Sequence, residues 1–380
     1  MASSADAYWL ALRRVRGVGT RVARMLLERF ADAPGIFAVG EEELVAAGVY
    51  RPTAKNIVQF AQFEELEKEL CELTRLGAGL VRWTDNNYPA NLRHIPDPPP
   101  FLYRRGELPA GETACVAIVG ARAASDAGLH MARRLAMELA LKGIVVVSGL
   151  ARGIDAEAHR GALDGNGRTI AVLGSGIDII YPHEHRALAE SMLAKGGALL
   201  SELPLGSPPV AENFPVRNRL IAGLSLGVVV VEAAEKSGSL ITARMALEQN
   251  RQVFAVPGSP LTGKTRGSNR LLKEGARPVD CVEDVLEELA PQLAALPKAS
   301  AQTAIAASAR HDAASARAPL TDRRFQTVLE HLSSSQRVHI DSIVERSGMN
   351  AQSVLGVLLE LELSGVVVQH PGKLFSLAQI

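Results

Sequence analysis

Cys115-Val-Ala-Ile-Val-Gly-Ala-Arg-Ala-Ala-Ser125 and Ser148-Gly-Leu-Ala-Arg-Gly-Ile-Asp155 decide how the chain folds. In the first, an apolar run, Cys115–Val119, gives way to Gly120, Arg122 and a serine that opens a helical pattern over Ser125–Leu141. In the second, the run Ile144–Ser148 ends in a glycine-rich turn before a helical stretch, Ile154–Leu163. Further apolar runs follow at Thr169–Leu173, Ala198–Ser201, Gly227–Val231 and Gln252–Val256. Helical stretches intervene at Glu184–Ala194, Arg217–Gly223 and Ser239–Asn250. Strands without polar alternation are covered on both faces. Their alternation with helices at this spacing predicts an α/β domain with a Rossmann-like, doubly wound, mainly parallel sheet, whose ligands bind beyond the carboxyl ends of the strands.

Outward from this core the chain changes character. Residues 1–78 are helical by pattern, and Arg16-Gly-Val-Gly19 sits between the periodic stretches Tyr8–Val15 and Arg21–Phe30. A Gly-x-Gly turn between two helices is a helix–hairpin–helix (SAM-like) arrangement. Its backbone N–H groups face either a DNA phosphate or merely solvent beside Arg13, Arg14, Arg16, Arg21, Arg24 and Arg29. The boundary falls near residue 78, and the α/β domain spans 79–290. Pro291–Leu320 holds twelve alanines and almost no large apolar residues, so 291–318 reads as a flexible linker. Residues 319–380 read as a winged helix. Helices are expected at Asp322–Leu332, Asp341–Ser347 and Ala351–Leu363, the last capped by Asn350 after Gly348-Met-Asn350. Extended pieces are expected at Arg337–Ile340, Val366–Gln369 and Leu374–Leu377, with His370-Pro-Gly-Lys373 at the turn. The helix Ala351–Leu363 contains no Lys or Arg and carries Glu360 and Glu362, so it is poorly equipped to enter a major groove.

The 380 residues carry 41 basic and 41 acidic side chains. No segment is basic as a whole: 10 against 11 in residues 1–78, 23 against 23 in 79–290, and 5 against 6 in 319–380. This disfavours a protein coated in positive charge and requires any polyanion to be held by a focused pocket. Cys71, Cys115 and Cys281 stand far apart, form no metal-ligand spacing and read as reduced. No apolar run approaches the about 18–20 residues that cross a bilayer, and Met1–Leu10 lacks the pattern of a signal peptide.

Small and basic residues cluster at the strand ends. They are Gly120-Ala-Arg122; Ser148-Gly-Leu-Ala-Arg-Gly153; Gly174-Ser-Gly-Ile-Asp178; Glu232 followed by Ser237-Gly-Ser239; and Pro257-Gly258. Glycines admit a ligand close to the backbone, and helix N-termini offer free N–H groups in positive potential. Several such ends on one crest suit phosphates. Arg122 stands where a dinucleotide fingerprint would have glycine, and no P-loop motif is present. This argues against a nucleotide cofactor and for charge-assisted binding of an external phosphate. Phe214-Pro-Val-Arg-Asn-Arg219 allows two readings. Phe214 stacks a base while Arg217, Asn218 and Arg219 take phosphates, or Phe214 fills the core and the arginines pair with Glu202 or Glu232.

These stretches, with Asp97-Pro-Pro-Pro-Phe-Leu-Tyr103, Thr169-Ile-Ala-Val-Leu-Gly174, Tyr181-Pro182 and Glu232 through Thr242, resemble the DNA-processing protein A (DprA/Smf) family, in register over about residues 85–280. The resemblance implies a cytoplasmic bacterial protein of natural transformation. It would bind and protect incoming single-stranded DNA, load the RecA recombinase, and dimerise through the Rossmann-like domain, with no cofactor and no enzymatic activity. The family's DNA pocket carries over to Gly120 and Arg122, to Ser148, Gly149, Arg152 and Gly153, and to Phe214, Arg217, Asn218 and Arg219. Ser237, Gly238 and Ser239 are added from their place at a strand end. Some members have a basic residue just before the aromatic, where this chain has Ala211-Glu-Asn213.

One alternative is enzymatic. Ser237-Gly-Ser-Leu-Ile-Thr242 is similar to the Gly-Gly-x-Gly-Thr-x-x-Glu turn of Rossmann-like phosphoribohydrolases, which need a carboxylate beside the sugar. The corresponding position is Met245, which transfers no proton, and the next acid is Glu248. Asp155 and His159 stand four apart on one helical face but have no nucleophile beside them; His159 is expected to steady the Ser148–Gly153 turn.

Overall fold

The computed structural model describes residues 4–109, 113–296, 327–329, 331–332, 338–349, 354–358, 361, 367–370 and 374–377. The chain divides into two compact units, Met1–Ala304 and Ile305–Ile380.

The first unit opens with six helices: α1 (Ala5–Arg14), α2 (Thr20–Phe30), α3 (Ala33–Ala38), α4 (Glu41–Ala46), α5 (Arg51–Val58) and α6 (Phe63–Arg75). Then follow β1 (Ala78–Arg82), α7 (Ala90–Arg93), β2 (Phe101–Gly106), β3 (Cys115–Val119), α8 (Asp126–Leu141), β4 (Val145–Ser148), α9 (Ile154–Asp164) and β5 (Thr169–Val172). The unit continues with α10 (Arg186–Ala194), β6 (Ala198–Ser201), α11 (Asn213–Leu224), β7 (Gly227–Val230), α12 (Gly238–Glu248), β8 (Gln252–Ala255), α13 (Arg266–Lys273), β9 (Arg277–Pro278) and α14 (Val282–Ala295).

The sheet runs β1-β2-β6-β5-β4-β3-β7-β8-β9. From β6 to β9 every pairing is parallel, whereas β2 joins β6 and β1 joins β2 antiparallel. The order reverses between β3 and β7, which places the crevice expected to receive a ligand between their carboxyl ends. The six anticipated strands are present. The sequence reading missed β1, β2 and β9: β2 carries Arg104 and Arg105, and β9 is only two residues long.

Alternate residues of the strands face different layers. Ala117, Val119, Val147, Val172, Val228 and Val230 pack under α11 and α12. Val116, Ile118, Val146 and Val229 pack against α8, α9 and α14. The N-terminal helices share one apolar cluster with Phe101, Tyr103, Ala171 and Leu199. Polar ties reinforce this docking: Tyr103 donates to Glu69 (2.7 Å), and Arg13 meets Glu202 (3.0 Å). Contacts therefore cross residue 78 freely. Gly17 (φ +95°) supplies the turn between α1 and α2. Of the six arginines around that turn, Arg13 and Arg14 are tied to Glu202 and Glu69, and Arg24 to Glu28.

In the second unit, β10 (Val338–His339), α15 (Ile340–Ser347), β11 (Val367–His370) and β12 (Leu374–Leu377) are described, with residues 354–358 helical. The sheet order is β10-β12-β11, and Gly348 ends α15 in the left-handed conformation. Val328, Ile343, Val354, Leu358, Val367 and Phe375 form its core. This is a winged helix. Asn350, Glu360, Glu362, most of the expected helix Asp322–Leu332 and the turn 371–373 lie outside the described residues.

Candidate functional site

The crevice between β3 and β7 is already occupied by the protein's own anion. Glu232, 3% exposed, accepts from the backbone N–H of Ser125 (3.1 Å) and from its hydroxyl (2.5 Å), so a carboxylate caps the N-terminus of α8. The place a pyrophosphate would take in a dinucleotide-binding domain is filled.

The exposed chemistry stands one step away, over the ends of β4 and β5, and is supplied by α11. This helix starts at Asn213, four residues before the anticipated Arg217. Pro215 lies in its first turn, where no N–H is needed. Phe214, Arg217 and Asn218 therefore share one face. The Phe214 ring lies over Gly174, where an added Cβ would stand 2.7 Å from a ring carbon. The exposed Arg122 guanidinium stands 5.3 Å from the ring centroid, that of the buried Arg217 5.9 Å, and the Tyr181 ring is 5.9 Å away. Phe214 is half-buried, so neither reading of it from sequence holds alone: it is seated on the backbone yet keeps part of its ring in the open.

Arg217 is buried. Its Nη1 donates to the carbonyls of Gly149 (2.9 Å) and Val172, and its Nε to Asn218 Oδ1 (3.2 Å). Gly149 is required here, because a Cβ would meet the guanidinium at 2.5 Å. Burial presses the Arg217 pKa down to about 10, opposed by Asp155. Asp155 in turn accepts from the N–H groups of Gly149 (3.1 Å) and Ala151 (3.4 Å), and burial raises its pKa against the pull of Arg217. Arg217 thus braces the β4–α9 turn from within.

The remaining anticipated residues separate into two sets. Gly153 (φ +73°) closes the turn that carries Arg152, and Arg152 lies at the surface paired with Glu184 (2.5 Å). Asn218 reaches the carbonyl of Gly238 (3.4 Å), which brings the N-terminus of α12 alongside; there Ser237 and Ser239 share a hydrogen bond of 2.7 Å. Three residues depart from expectation. Ser148 is fully buried and donates to the Ile118 carbonyl (2.6 Å). Gly120 is close-packed against Ile154 and the Glu232 carbonyl rather than open to a ligand. Arg219, about 200° round the helix from Arg217, is buried between Glu202 (2.8 Å) and Asp97 (2.9 Å), as the pairing alternative for the arginines supposed.

His159 does not hold the turn as expected. It is fully buried, and its Nδ1 hydrogen-bonds Thr169 Oγ1 (2.7 Å), whose own proton goes to the Val146 carbonyl. Desolvation pushes its pKa down to about 3, leaving it neutral. The turn is steadied instead by His185, whose Nδ1 meets the carbonyl of Leu150 (2.8 Å), a residue at φ +57°. Tyr181 and His185 were missed; the Tyr181-Pro182 pair was the available signal. Asp280, Cys281 and Asp284 come close enough to suggest a metal, but Asp284 accepts from the N–H groups of residues 280 and 281 as a cap of α14. A cavity of about 120 Å³ lies at the opposite end of the sheet, lined by Cys115, Ile170 and Leu224.

A family model described as DNA recombination-mediator protein A matches residues 79–290. The chain belongs to the DprA/Smf family. A second model, the DprA winged helix domain, matches residues 311–373. Protein Smf of Escherichia coli (strain K12) is 40% identical over 339 residues, covering 88% of each chain. DNA processing protein DprA of Bacillus subtilis (strain 168) is 40% identical over 258 residues, covering 68% of this chain and 84% of its own. The X-ray structure of DprA from Streptococcus pneumoniae superposes with a TM-score of 0.65 at 34% identity, covering 74% of this chain and 97% of that one. DprA from Helicobacter pylori, whose structure is described in terms of its single-stranded DNA binding mode, gives 0.50 at 30% identity, covering 57% and 96%. The family match begins one residue into β1 and ends within α14, so the nine-stranded sheet except Ala78 lies within it and α1–α6 precede it.

Proposed function

We propose that this protein binds single-stranded DNA on the crest formed by Arg122, Phe214, Asn218, Arg152 and the N-terminus of α12. On this reading it protects DNA entering the cytoplasm during natural transformation and hands it to the RecA recombinase. The observation that carries the reading is the exposed Arg122 guanidinium over a half-buried aromatic ring, with no carboxylate paired to that arginine among the described residues. An aromatic face beside free cations serves a strand whose bases are unstacked and whose phosphates are exposed. Arg217 and the buried Ser148 hold the platform and do not touch phosphate. Family membership supports the transfer to RecA and dimerisation through the Rossmann-like domain. The division into 1–78, 79–290, 291–318 and 319–380 belongs to the same proposal, corrected in that α14 runs on to Ala295, five residues into the expected linker.

The protein is read as a binder, not an enzyme, and without a cofactor. Glu232 fills the nucleotide crevice, and Thr242 is buried with Met245 three residues on; Glu248 lies at the far end of α12. Among the described residues no helix is long and apolar enough to cross a membrane. The test is binding of the full chain to single- and double-stranded DNA of equal length at two salt concentrations. Single strands should bind more tightly, with a salt slope set by the few phosphates that Arg122 and its neighbours neutralise. Equal binding of duplex, or release of free base from a nucleoside monophosphate, would reject the reading.

A further inference from the structure

Tyr181, Arg152 and Glu184 lie together beside the Phe214 cluster. Tyr181 is 45% exposed, and its ring is tilted by 44° to that of Phe214 at a centroid distance of 5.9 Å. Arg152 stands within electrostatic range of the Tyr181 hydroxyl, and its Nε contacts Glu184 Oε1 at 2.5 Å. A pair of rings is therefore flanked by a cation at each end along the crest, from Arg152 to Tyr181 to Phe214 to Arg122. We propose that Tyr181 and Arg152 form a second nucleotide subsite next to that of Phe214 and Arg122, and that Glu184 holds Arg152 away from phosphate until DNA arrives. The inference rests on the single-strand reading and adds where the strand goes and which strands it favours.

The geometry of the two rings sets the selectivity. Neighbouring bases in a continuous stack are parallel and about 3.4 Å apart along the strand. Rings 5.9 Å apart and inclined at 44° cannot extend one such stack, so a base on each must have left its neighbour. A thymine strand, weakly stacked, bends there at little cost. An adenine run must first break its stacking, and a duplex must also open. The Arg152–Glu184 pair suits an exchange. Both side chains are more than half exposed, and such pairs contribute little, so a phosphate can replace the carboxylate. While the carboxylate stays, it repels the incoming strand; the hydrogen bond from Arg152 keeps Glu184 ionised by lowering its pKa.

The experiment measures fluorescence anisotropy of the full chain with oligo-dT, oligo-dA and duplex of one length, at two salt concentrations. Tyr181→Ala should lose about tenfold in affinity for oligo-dT with an unchanged salt slope, because stacking releases no ions. It should also narrow the preference for dT over dA, while Tyr181→Phe keeps both. Glu184→Gln should gain affinity severalfold with a slope no shallower than wild type, a change that misfolding cannot produce. If Arg122→Ala and Phe214→Ala lose binding while Tyr181→Ala and Glu184→Gln match wild type, the second subsite is wrong and the first stands. If Arg122→Ala and Phe214→Ala also leave binding intact, the crest itself is wrong.

Discussion

Arg122 and Arg219 were both expected to take phosphate and have opposite fates. Arg122 is exposed over the Phe214 ring with no carboxylate partner among the described residues. Arg219 is buried between Glu202 and Asp97, and Glu202 is held in turn by Arg13 from the N-terminal helices. The four charges of that chain balance, and they tie α1, the Pro-rich loop, the end of β6 and α11 together. The comparison teaches that an arginine at a strand end is available to a polyanion only where the fold withholds a carboxylate. Local sequence does not reveal that, because the carboxylates concerned lie 17 or more residues away.

The strongest way to break the comparison is to remove the buried cation. Arg219→Ala should cost about 3–5 kcal/mol of stability, since Glu202 keeps only Arg13 and Asp97 loses its partner. Arg122→Ala should stay within about 0.5 kcal/mol. Denaturant midpoints decide, and equal midpoints would erase the distinction. Next in size is an effect of pH on the layer beneath the crest. His159 has a folded pKa of about 3, below the about 6.5 of an unfolded histidine, so the unfolded chain takes up a proton first as pH falls. The stability it contributes is complete above about pH 6.5 and is lost on the way down to pH 3, by up to about 2 kcal/mol between pH 6.5 and 5. His159→Gln should flatten that part of a urea-midpoint profile, and a profile no flatter than wild type's would exclude His159 as its source.

Smaller effects sharpen the comparison on the binding side. Arg122→Ala should weaken single-strand binding and flatten its log–log salt dependence by about 0.7, the value for one phosphate on a single strand. Arg217→Ala should lower stability and leave the slope alone, since its donors are turned to the Gly149 and Val172 carbonyls. An unchanged slope in Arg122→Ala would move the site elsewhere. Smallest of all, removing residues 305–380 should leave single-strand affinity within about threefold. Residues 351–363 include no Lys or Arg and two glutamates, so the winged helix should serve protein contacts. A tenfold loss in a folded truncation would give it a direct part in DNA binding.

The central strands were legible because each is an unbroken apolar run covered on both faces. β1 and β2 were not, since both carry arginines and pair antiparallel. At the site, the sequence located the residues at the strand ends but could not tell which side chains would turn inward. Phe214, Arg217 and Arg219 sit in one hexapeptide, yet helical geometry sends one arginine inward beneath the turn and the other into a carboxylate pair. The start of α11 at Asn213 was hidden by Pro215, which a first turn tolerates but a pattern reading takes as a stop. Tyr181 lies in the connection after β5, where periodicity carries no information about what a side chain will meet, and His185 sits at the start of the anticipated helical stretch, whose pattern does not show that its ring turns to the Leu150 carbonyl.

Glu232 gives the protein a freedom from its surroundings. Cells hold ATP and other nucleotides at high concentration, and a Rossmann-like domain with an open helix N-terminus at α8 would offer them a phosphate site. With the Glu232 carboxylate bonded to Ser125, a mononucleotide would have to displace it before its phosphate could reach the N-terminus of α8. On the proposed reading the crest is left to a ligand that brings several phosphates and bases at once, whatever the energy state of the cell.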